Sequence, residues 1–318
     1  MEPGQRIERA LQSAVRAGEA PGCPPRLAAA IRHAVFPGGA RVRPQLALAV
    51  SLACGDRDPV LADAAAAAIE LLHCASLVHD DLPCFDAALT RRGKESVHVA
   101  YGERLAVLAG DALIVMAFQS LAAAGAHAPE RLVPLLGTVA RSVGMPLGIV
   151  AGQAWECEPR VALADYQRAK TGSLFAAATE VGALAAGHAA AAWSDFGQWL
   201  GEAYQVADDI RDVACDPALL GKPAGQDVTF CRPSAATDLG LQGAMAHFNS
   251  LLRRATAAIP DCAGAGALRA LVRAEDVDVF APSWWRPRFP KCWVVRNSVL
   301  AGTVMFALKG SERIIQLT

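Results

Sequence analysis

Long segments rich in alanine and leucine, separated by short clusters of proline and glycine, constrain this chain more than any other feature. Good helix formers fill these segments, and alternating β-branched residues are scarce in them. The proline and glycine clusters between the segments are typical of helix ends. We therefore expect an all-α protein. Four segments are predicted to be helices: residues 62–78, 105–123, 166–186 and 191–213.

The composition allows a large buried core. Hydrophobic residues make up 53% of the 318 residues, charged residues make up 19%, and the formal net charge is −1. Such a chain lacks the basic excess that is typical of nucleic-acid binding. Residues 1–20 carry charges throughout and lack the apolar centre of a signal peptide, and we expect no window with the ~18 uncharged apolar residues of a membrane span. These features predict a cytoplasmic protein without a membrane span.

The chain contains nine cysteines, an odd number, and no pair of them has the C-x-x-C spacing. Free thiols in a reducing compartment are the simplest interpretation. A zinc site is not favoured by this spacing.

Two clusters of aspartates on predicted helices, far apart in the chain, are the strongest chemical signal. One cluster contains Asp208, Asp209 and Asp212. Asp208 and Asp212 are four residues apart, so they share a helix face with their Cβ atoms ~5–6 Å apart. Two carboxylates that close repel each other unless a cation lies between them. Ligands made only of oxygen suit Mg²⁺, which completes its shell with water and substrate phosphates.

The other cluster contains Asp80, Asp81 and Asp86. Asp86 would lie on the wrong face of a continuous helix, but Pro83 predicts that the helix ends or kinks near residue 82. The following turn could then bring Asp86 back toward a shared cation. Earlier on the same helix, His73 and Ser76 share the face of Asp80 and form a polar stripe on an apolar helix.

Each of these features has a simpler interpretation when taken alone. A single D-D-x-x-D motif is common on solvated helix faces, a lone histidine is more often part of the core, and a lone basic residue is usually a solvated charge. Two acidic clusters in apolar surroundings, with basic residues next to glycines in turns, favour a site that binds metal and phosphate. The basic residues are Arg41, Arg43, Arg91, Arg92, Lys94, Lys170 and Lys222.

These motifs resemble those of the trans-prenyl diphosphate synthases, and most closely those of bacterial geranylgeranyl diphosphate synthases of carotenoid biosynthesis. The matching segments run in the family's order and spacing from about residue 6 to about residue 275. They are residues 36–44, 73–86, 91–94, 108–111, 152–153, 169–172, 204–212 and 221–227.

The resemblance implies a bundle of long helices around a deep central cavity, usually in a homodimer, and an enzyme that joins isopentenyl diphosphate to allylic diphosphates. It implies two or three Mg²⁺ ions on the allylic diphosphate, held by Asp80, Asp81, Asp86, Asp208, Asp209 and Asp212. Further contacts to that diphosphate would come from Arg91, Lys170, Gln205 and Lys222. The diphosphate of isopentenyl diphosphate would be bound by Arg43, His73 and Arg92. Thr171 and Gln205 would lie beside the reacting carbon.

Two positions bear on the activity and the product. Ala40 stands where the resembled family usually carries a lysine that binds isopentenyl diphosphate. Its loss should weaken that site, or the binding of isopentenyl diphosphate could shift to Arg41 and Arg43. Ala75, five residues before the first aspartate, and its neighbour Ser76 are small. In this family a bulky residue at position 75 stops growth at fifteen carbons, so the resemblance favours the twenty-carbon geranylgeranyl diphosphate, with farnesyl diphosphate as the alternative.

Two other kinds of protein remain open from the sequence. One is a class I terpene cyclase, although the second acidic motif here is all aspartate and a second diphosphate site is present. The other is a non-catalytic partner subunit of a prenyl synthase, for which Ala40 would be a signature. Helical patterning fades near residue 275, so we expect a prenyl synthase domain over residues 1–275 and a divergent tail of unknown role over residues 276–318.

Overall fold

The computed structural model describes residues 2–36, 38–159, 166, 168–214, 234–273, 304–307 and 314–317; for residues 211, 212, 214 and 273 and the last two ranges only the backbone is described. The helices within these ranges are α1 (Pro3–Ala17), α2 (Pro25–Val35), α3 (Val42–Ala53), α4 (Pro59–Asp80), α5 (Val97–Tyr101), α6 (Glu103–Gly125), α7 (Pro129–Val143), α8 (Ile149–Ala154), α9 (Ser173–Ala185), α10 (Ser194–Ala214), α11 (Ala235–Ala257) and α12 (Ala265–Arg273). Short 3₁₀ turns cover Trp155–Cys157 and Ala190–Trp193, and a π-helical turn covers Arg168–Gly172.

Helix α4 shows how the sequence sets the limits of an element. The side chain of Asp58 accepts a hydrogen bond from Leu61 N at 3.1 Å, and Pro59 occupies the first helical position, where its missing N–H is not needed. Alanine and leucine then continue the helix to Asp80, three residues before Pro83. The cap and the proline therefore fix both ends of the helix that carries the first acidic cluster.

Helix α9 lies at the centre of the described bundle. It packs against α3, α4, α7 and α10, and nearly all of its residues are buried, Phe175 completely. Helix α4 packs most extensively on α6, and α10 packs most extensively on α11. Because α9 contacts both α4 and α10, it separates and positions the two helices that carry the aspartate clusters.

A two-residue hairpin follows the first acidic cluster. Strands β1 (Thr90–Arg91) and β2 (Lys94–Glu95) pair antiparallel, with Arg91 opposite Lys94. The two turn residues, Arg92 and Gly93, have φ of 55° and 78°. Positive φ at both positions is the type I′ geometry, which glycine adopts without strain and arginine rarely adopts. The hairpin thus directs its three basic side chains to different partners: Arg91 to Asp81, Arg92 to Glu70 and Lys94 to the carbonyl of Phe36.

The helices predicted at residues 62–78, 105–123, 166–186 and 191–213 are confirmed, although the third begins as a π-helical turn and the fourth as a 3₁₀ turn. The described cysteines are all free, as predicted: Cys23, Cys54, Cys74, Cys84, Cys157 and Cys262. In the predicted tail the described backbone forms two antiparallel strands, β3 (Val304–Ala307) and β4 (Ile314–Leu317).

The predicted absence of a window of ~18 uncharged apolar residues is a stricter criterion than a test of helix length and mean hydropathy that tolerates two charged residues. Helices α4 and α6 both pass that test, with 72% and 39% of their apolar windows buried inside the protein. The burial of α4 explains its composition, because a helix packed on several sides in a core is apolar all round. The lower burial of α6 reflects exposed apolar side chains on one of its faces.

Candidate active site

The turn after α4 brings the three aspartates of the first cluster together at the backbone level. The amide of Asp86 donates to the carbonyl of Asp80 at 2.9 Å, and the amide of Ala88 donates to the carbonyl of Asp81 at 3.1 Å. The helix ends at Asp80, so the predicted break before Pro83 and the return of Asp86 toward Asp80 are both confirmed.

The carboxyl group of Asp80 lies in a partly desolvated and highly charged environment. Burial raises its pKa to about 6; Lys170 and Arg91 act to lower the pKa, whereas the neighbouring carboxylates of Asp86 and Glu156 act to raise it. The negative charge of Asp80 is therefore under-compensated by the protein itself. An additional cation at this position would relieve that cost.

Asp81 is almost fully buried and is held by Arg91. The guanidinium Nε of Arg91 donates to Asp81 Oδ1 at 2.9 Å and to Oδ2 at 3.3 Å, and a second nitrogen of Arg91 also contacts Oδ1. Burial raises the pKa of Asp81, and Arg91 opposes this increase. Arg91 was predicted to contact the allylic diphosphate, but in this structure its guanidinium neutralises one of the predicted metal ligands.

The π-helical turn Arg168–Gly172 connects the two acidic clusters. Lys170 Nζ donates to Glu156 Oε1 and contributes to the electrostatic environment of Asp80. From the next residue, the hydroxyl of Thr171 donates to Gln205 Oε1 on α10 at 3.0 Å. The adjacent side chains of Lys170 and Thr171 thus interact with Asp80 on α4 and with Gln205 on α10, respectively.

Close packing against Gly152 fixes the position of this turn. A Cβ atom built on Gly152 would lie 2.5 Å from the backbone nitrogen of Lys170, a distance that real side chains do not tolerate. Glycine at 152 is therefore required for α8 to approach the turn. The neighbouring Gln153 and Tyr166 donate to Glu156 at 3.2 and 2.6 Å, so Glu156 is anchored before it meets Lys170.

The second acidic cluster is anchored from two sides. Gln205 Nε2 donates to Asp209 Oδ1 at 2.9 Å, and the backbone amide of Ala235, at the start of α11, donates to Asp209 Oδ2 at 2.8 Å. Asp209 is buried and Asp208 is half-buried. The side chain of Asp212 and the whole of Lys222, both predicted site residues, lie outside the described residues.

The residues predicted to bind the second diphosphate lie on α3, α4 and the hairpin. The guanidinium of Arg43 stacks over the ring of Phe175 at 4.7 Å and lies 5.7 Å from the ring centre of Tyr204, which are favourable cation–π contacts. Arg92 points at α4, where its Nη2 is 3.5 Å from Glu70 Oε1 and its Nη1 is 3.9 Å from Cys74 Sγ. His73 is half-buried.

The idea that Arg41 takes over the role of a lysine at position 40 does not fit the structure. Its guanidinium donates to Glu8 Oε1 at 2.8 Å, to Glu70 Oε1 at 2.7 Å and to the carbonyl of Val35 at 2.8 Å. Burial opposes the charge, but Glu70 and Glu8 raise the pKa of Arg41 above its ordinary value. These three contacts hold Arg41 in a left-handed conformation with φ of 50°. Arg41 is therefore a structural residue.

The two positions predicted to set product length lie on the buried part of α4. Ala75 belongs to the hydrophobic core and is 2% exposed. Ser76 is half-buried, and its hydroxyl donates to the carbonyl of His73 at 2.9 Å in its own helix. Small side chains at both positions are thus compatible with close packing around the end of α4.

Sequence reasoning missed Glu70 and Glu156, the two carboxylates that hold the basic residues of the site. A signal existed for Glu70, because an acid in the apolar segment of α4 needs a buried partner. Glu156 gave no comparable signal, since it follows an ordinary helix end and reaches Lys170 only through the folded chain.

No three side chains of His, Cys, Asp or Glu among the described residues already converge on one point as a complete metal site. The donors nevertheless suit a hard divalent cation, because they are carboxylate oxygens and Asp80 is under-compensated. Mg²⁺ typically takes only one or two carboxylates and completes its octahedron with water and phosphate oxygens. The residues present therefore fit an ion that arrives together with a phosphorylated substrate.

Comparison with known proteins identifies the family of the chain. The chain matches the Polyprenyl synthetase family over residues 24–263 and belongs to that family; it is a prenyltransferase. It is 54% identical over 269 residues to geranylgeranyl diphosphate synthase of Cereibacter sphaeroides, covering 85% of this chain and 93% of that protein. It is 50% identical over 273 residues to geranylgeranyl diphosphate synthase of Rhodobacter capsulatus, covering 86% and 94%.

The fold also agrees with a solved member of this class. The crystal structure of a geranyltransferase from Helicobacter pylori, complexed with magnesium and isoprenyl diphosphate, superposes with a TM-score of 0.71 at 28% identity. That comparison covers 86% of this chain and 98% of the other. The predicted all-α fold of the prenyl synthases is therefore confirmed.

Proposed function

We propose that the protein condenses isopentenyl diphosphate head to tail with farnesyl diphosphate to form geranylgeranyl diphosphate. The observation that carries this proposal is the π-helical turn that joins the two acidic clusters. Lys170 on this turn lies in the environment of Asp80, and Thr171 begins the hydrogen-bonded series to Gln205 and Asp209. Carboxylates with a lysine between them suit a metal-bound diphosphate that must leave as an anion.

Two or three Mg²⁺ ions are the cofactor of this proposal, held by Asp80, Asp81, Asp86, Asp208, Asp209 and Asp212. When bound, magnesium neutralises the charge that develops on the leaving diphosphate. The magnesium in the Helicobacter pylori structure supports this choice of ion. For Asp81 to take part, Arg91 has to shift at least one of its hydrogen bonds from Asp81 to the incoming diphosphate.

The chain's own residues then bind and orient the allylic substrate. Lys170, Arg91, Gln205 and Lys222 contact its diphosphate. The carbon–oxygen bond of the allylic diphosphate breaks, and Thr171 with Gln205 lies beside the resulting allylic cation. Arg43, His73 and Arg92 hold isopentenyl diphosphate so that its double bond attacks that carbon. The departing diphosphate takes the proton that is lost, and apolar surroundings keep water from the cation.

The product length rests on Ala75 and Ser76. Small residues at these positions leave room for the growing chain along α4. Two relatives that are 54% and 50% identical to this chain over the aligned residues are named geranylgeranyl diphosphate synthase, which supports the twenty-carbon product over farnesyl diphosphate. A role in supplying carotenoid precursors is part of this proposal, because the motifs resemble those of synthases of carotenoid biosynthesis.

A homodimer is the proposed assembly, and α6 is the proposed contact. Leu108 and Val115 are seven residues apart on one face of α6 and are 51% and 54% exposed, and Val107 beside them is 42% exposed. Apolar side chains on one helix face are typical of surfaces that another chain covers. Burial of this face in a dimer is compatible with the proposed cytoplasmic location.

An assay of the purified protein alone tests the function and its alternatives. The protein is incubated with Mg²⁺, labelled isopentenyl diphosphate and farnesyl diphosphate, and the products are separated by chain length. A labelled geranylgeranyl diphosphate supports the proposal. A hydrocarbon product would indicate a terpene cyclase, and no turnover would indicate a non-catalytic subunit.

Removing divalent ions provides the matched control. Addition of a chelator should abolish turnover, and Mg²⁺ added in excess of the chelator should restore it. Turnover that persists in the chelator would contradict the role of the aspartate clusters.

A further inference from the structure

In the segment just before α3, Ala40 occupies the position where the resembled family usually carries a lysine. Ala40 carries no charge, and it is 6% exposed. The next residue, Arg41, is fully occupied by Glu8, Glu70 and the carbonyl of Val35. Any further positive charge beside this segment therefore has to come from another part of the chain.

Lys94 reaches this segment from the hairpin. Its Nζ donates to the carbonyl of Phe36 at 2.6 Å, although the two residues are far apart in sequence. Its side chain is half-buried, and within the described ranges no carboxylate forms an ion pair with it. Burial lowers the pKa of Lys94, and the positive charge of Arg92 lowers it further. A desolvated ammonium in contact with a carbonyl alone is a good candidate for binding an anion.

The small cavity beside Lys94 is lined by the cations Arg91, Arg92 and Lys94 and by the carboxylates Asp81 and Glu95, of which Asp81 is paired with Arg91. The carboxylate of Glu70 is already shared between Arg92 and Arg41. The buried Nε of Arg92 has no hydrogen-bond partner among the described residues. Lys94 and Arg92 therefore both have donors to spare, and Arg92 shares the carboxylate of Glu70 with Arg41. This pair of cations favours an anionic ligand.

We propose that Lys94 binds the diphosphate of isopentenyl diphosphate and supplies the positive charge that Ala40 does not. This assignment rests on the proposed function. An ammonium group has three donors, so Lys94 can keep its bond to the carbonyl of Phe36 and direct another proton to a phosphate oxygen. The bond to Phe36 then links the position of the segment before α3 to the position of the substrate.

Steady-state kinetics of Lys94→Gln tests the assignment. Loss of one charge-assisted hydrogen bond should raise the KM for isopentenyl diphosphate about 10-fold or more. The KM for farnesyl diphosphate should stay within about 2-fold, since the allylic site is untouched. Arg32→Gln is the matched control, because Arg32 borders a cavity that also contains Lys94 but pairs with Glu19. It should leave both constants unchanged.

A rescue variant separates binding from a purely structural role. Ala40→Lys added to Lys94→Gln should restore most of the lost affinity, because it returns a cation to the same diphosphate. A lysine that only held the carbonyl of Phe36 would not be replaced in this way. An unchanged KM in Lys94→Gln would overturn the proposal, and so would the absence of rescue in a double variant whose melting temperature equals that of Lys94→Gln.

Chemical labelling of the wild-type protein tests the same point without a variant. Isopentenyl diphosphate should slow the acetylation of Lys94 by acetic anhydride, as measured by peptide mass spectrometry, and inorganic sulfate at the same concentration should not. Equal labelling with and without isopentenyl diphosphate would contradict the assignment. If the wild-type protein turns over both substrates while these tests fail, only the role of Lys94 is lost. If the wild-type protein shows no turnover, the proposed function itself fails.

Discussion

Thr171 donates its hydroxyl proton to Gln205 Oε1 at 3.0 Å, and this contact joins the π-helical turn to the helix that carries the second acidic cluster. Gln205 in turn donates to Asp209. The side-chain amide of Gln205 keeps its orientation because both its oxygen and its nitrogen are hydrogen-bonded. The position of Asp209 therefore depends on Thr171, which precedes α9 in the chain. The π-helical turn that carries Lys170 therefore also helps to position Asp209 in the second acidic cluster.

Thr171→Val should lower kcat while preserving the fold. The substitution keeps the shape of the side chain but removes the donor to Gln205, and the loss of one such hydrogen bond costs about 1 kcal/mol, or about 5-fold in rate. Ser173→Ala is the control, since the hydroxyl of Ser173 donates only to the carbonyl of Ala169 in the same turn. Equal kcat in Thr171→Val and wild type would show that the contact does not orient the site.

Asp208→Ala should reduce turnover by about 100-fold or more, because a carboxylate that supports a catalytic cation contributes several kcal/mol. The melting temperature should change little, since Asp208 is only half-buried. Asp195→Ala, at the exposed start of the same helix, is the control and should retain activity. Wild-type turnover in Asp208→Ala would remove this residue from the proposed metal site.

Arg41→Met should destabilise the protein by about 3–5 kcal/mol, because it leaves the buried carboxylate of Glu70 without its main partner. Thermal unfolding at fixed protein concentration measures the effect. Arg32→Met removes an exposed ion pair with Glu19 and should leave the melting temperature almost unchanged. Similar melting temperatures for the two variants would show that the Arg41 contacts add no net stability.

Stability should depend on pH through Asp58. Burial acts to raise its pKa, but hydrogen bonds from His127 and the amide of Leu61 and the charge of Arg131 together lower it below 3.8. A lowered pKa in the folded state stabilises the protein above the unfolded value, and this stabilisation is lost as the pH falls through the folded value. Asp58→Asn should therefore be less stable than wild type at pH 7.

The difference in unfolding free energy between wild type and Asp58→Asn, measured with urea, should shrink as the pH falls below about 3.8, where wild-type Asp58 also becomes neutral. Asp261→Asn provides a control, because Asp261 is fully exposed. A difference that stays constant down to pH 3 would assign the effect to the cap hydrogen bond instead of the charge.

Ala75→Phe should shorten the product from twenty to fifteen carbons, because a bulky ring at this position would occupy the proposed path of the growing chain. Product analysis by chromatography measures the change. Overpacking of this buried position should also cost about 1–3 kcal/mol. Ala75→Ser is the control and should keep the twenty-carbon product, whereas unchanged products in Ala75→Phe would place the path elsewhere.

The parts of the structure that the sequence predicted are those controlled by local chemistry. Alanine-rich windows predicted the helices, and Pro83 predicted the turn that returns Asp86 to Asp80, because both effects act within a few residues. The pairing of Arg91 with Asp81 and the capture of Arg41 by Glu8 and Glu70 were not predictable in this way. Charge pairing between distant segments depends on which side chains the tertiary fold brings within reach, and the sequence alone lists only the candidates.

The contacts of Arg41 link helix α1 to helix α4 and thereby help to hold α4 in place. Glu8 on α1 and Glu70 on α4 share one guanidinium, and Arg6 on α1 pairs with Asp56, which precedes α4, and with Asp63 within α4. A protein trimmed to residues 24–263, the span of the family match, would lose these pairs together with the buried side chains of α1. Trimming at that boundary is therefore expected to weaken a helix whose far end carries the first aspartate cluster, even though none of the proposed substrate contacts is removed.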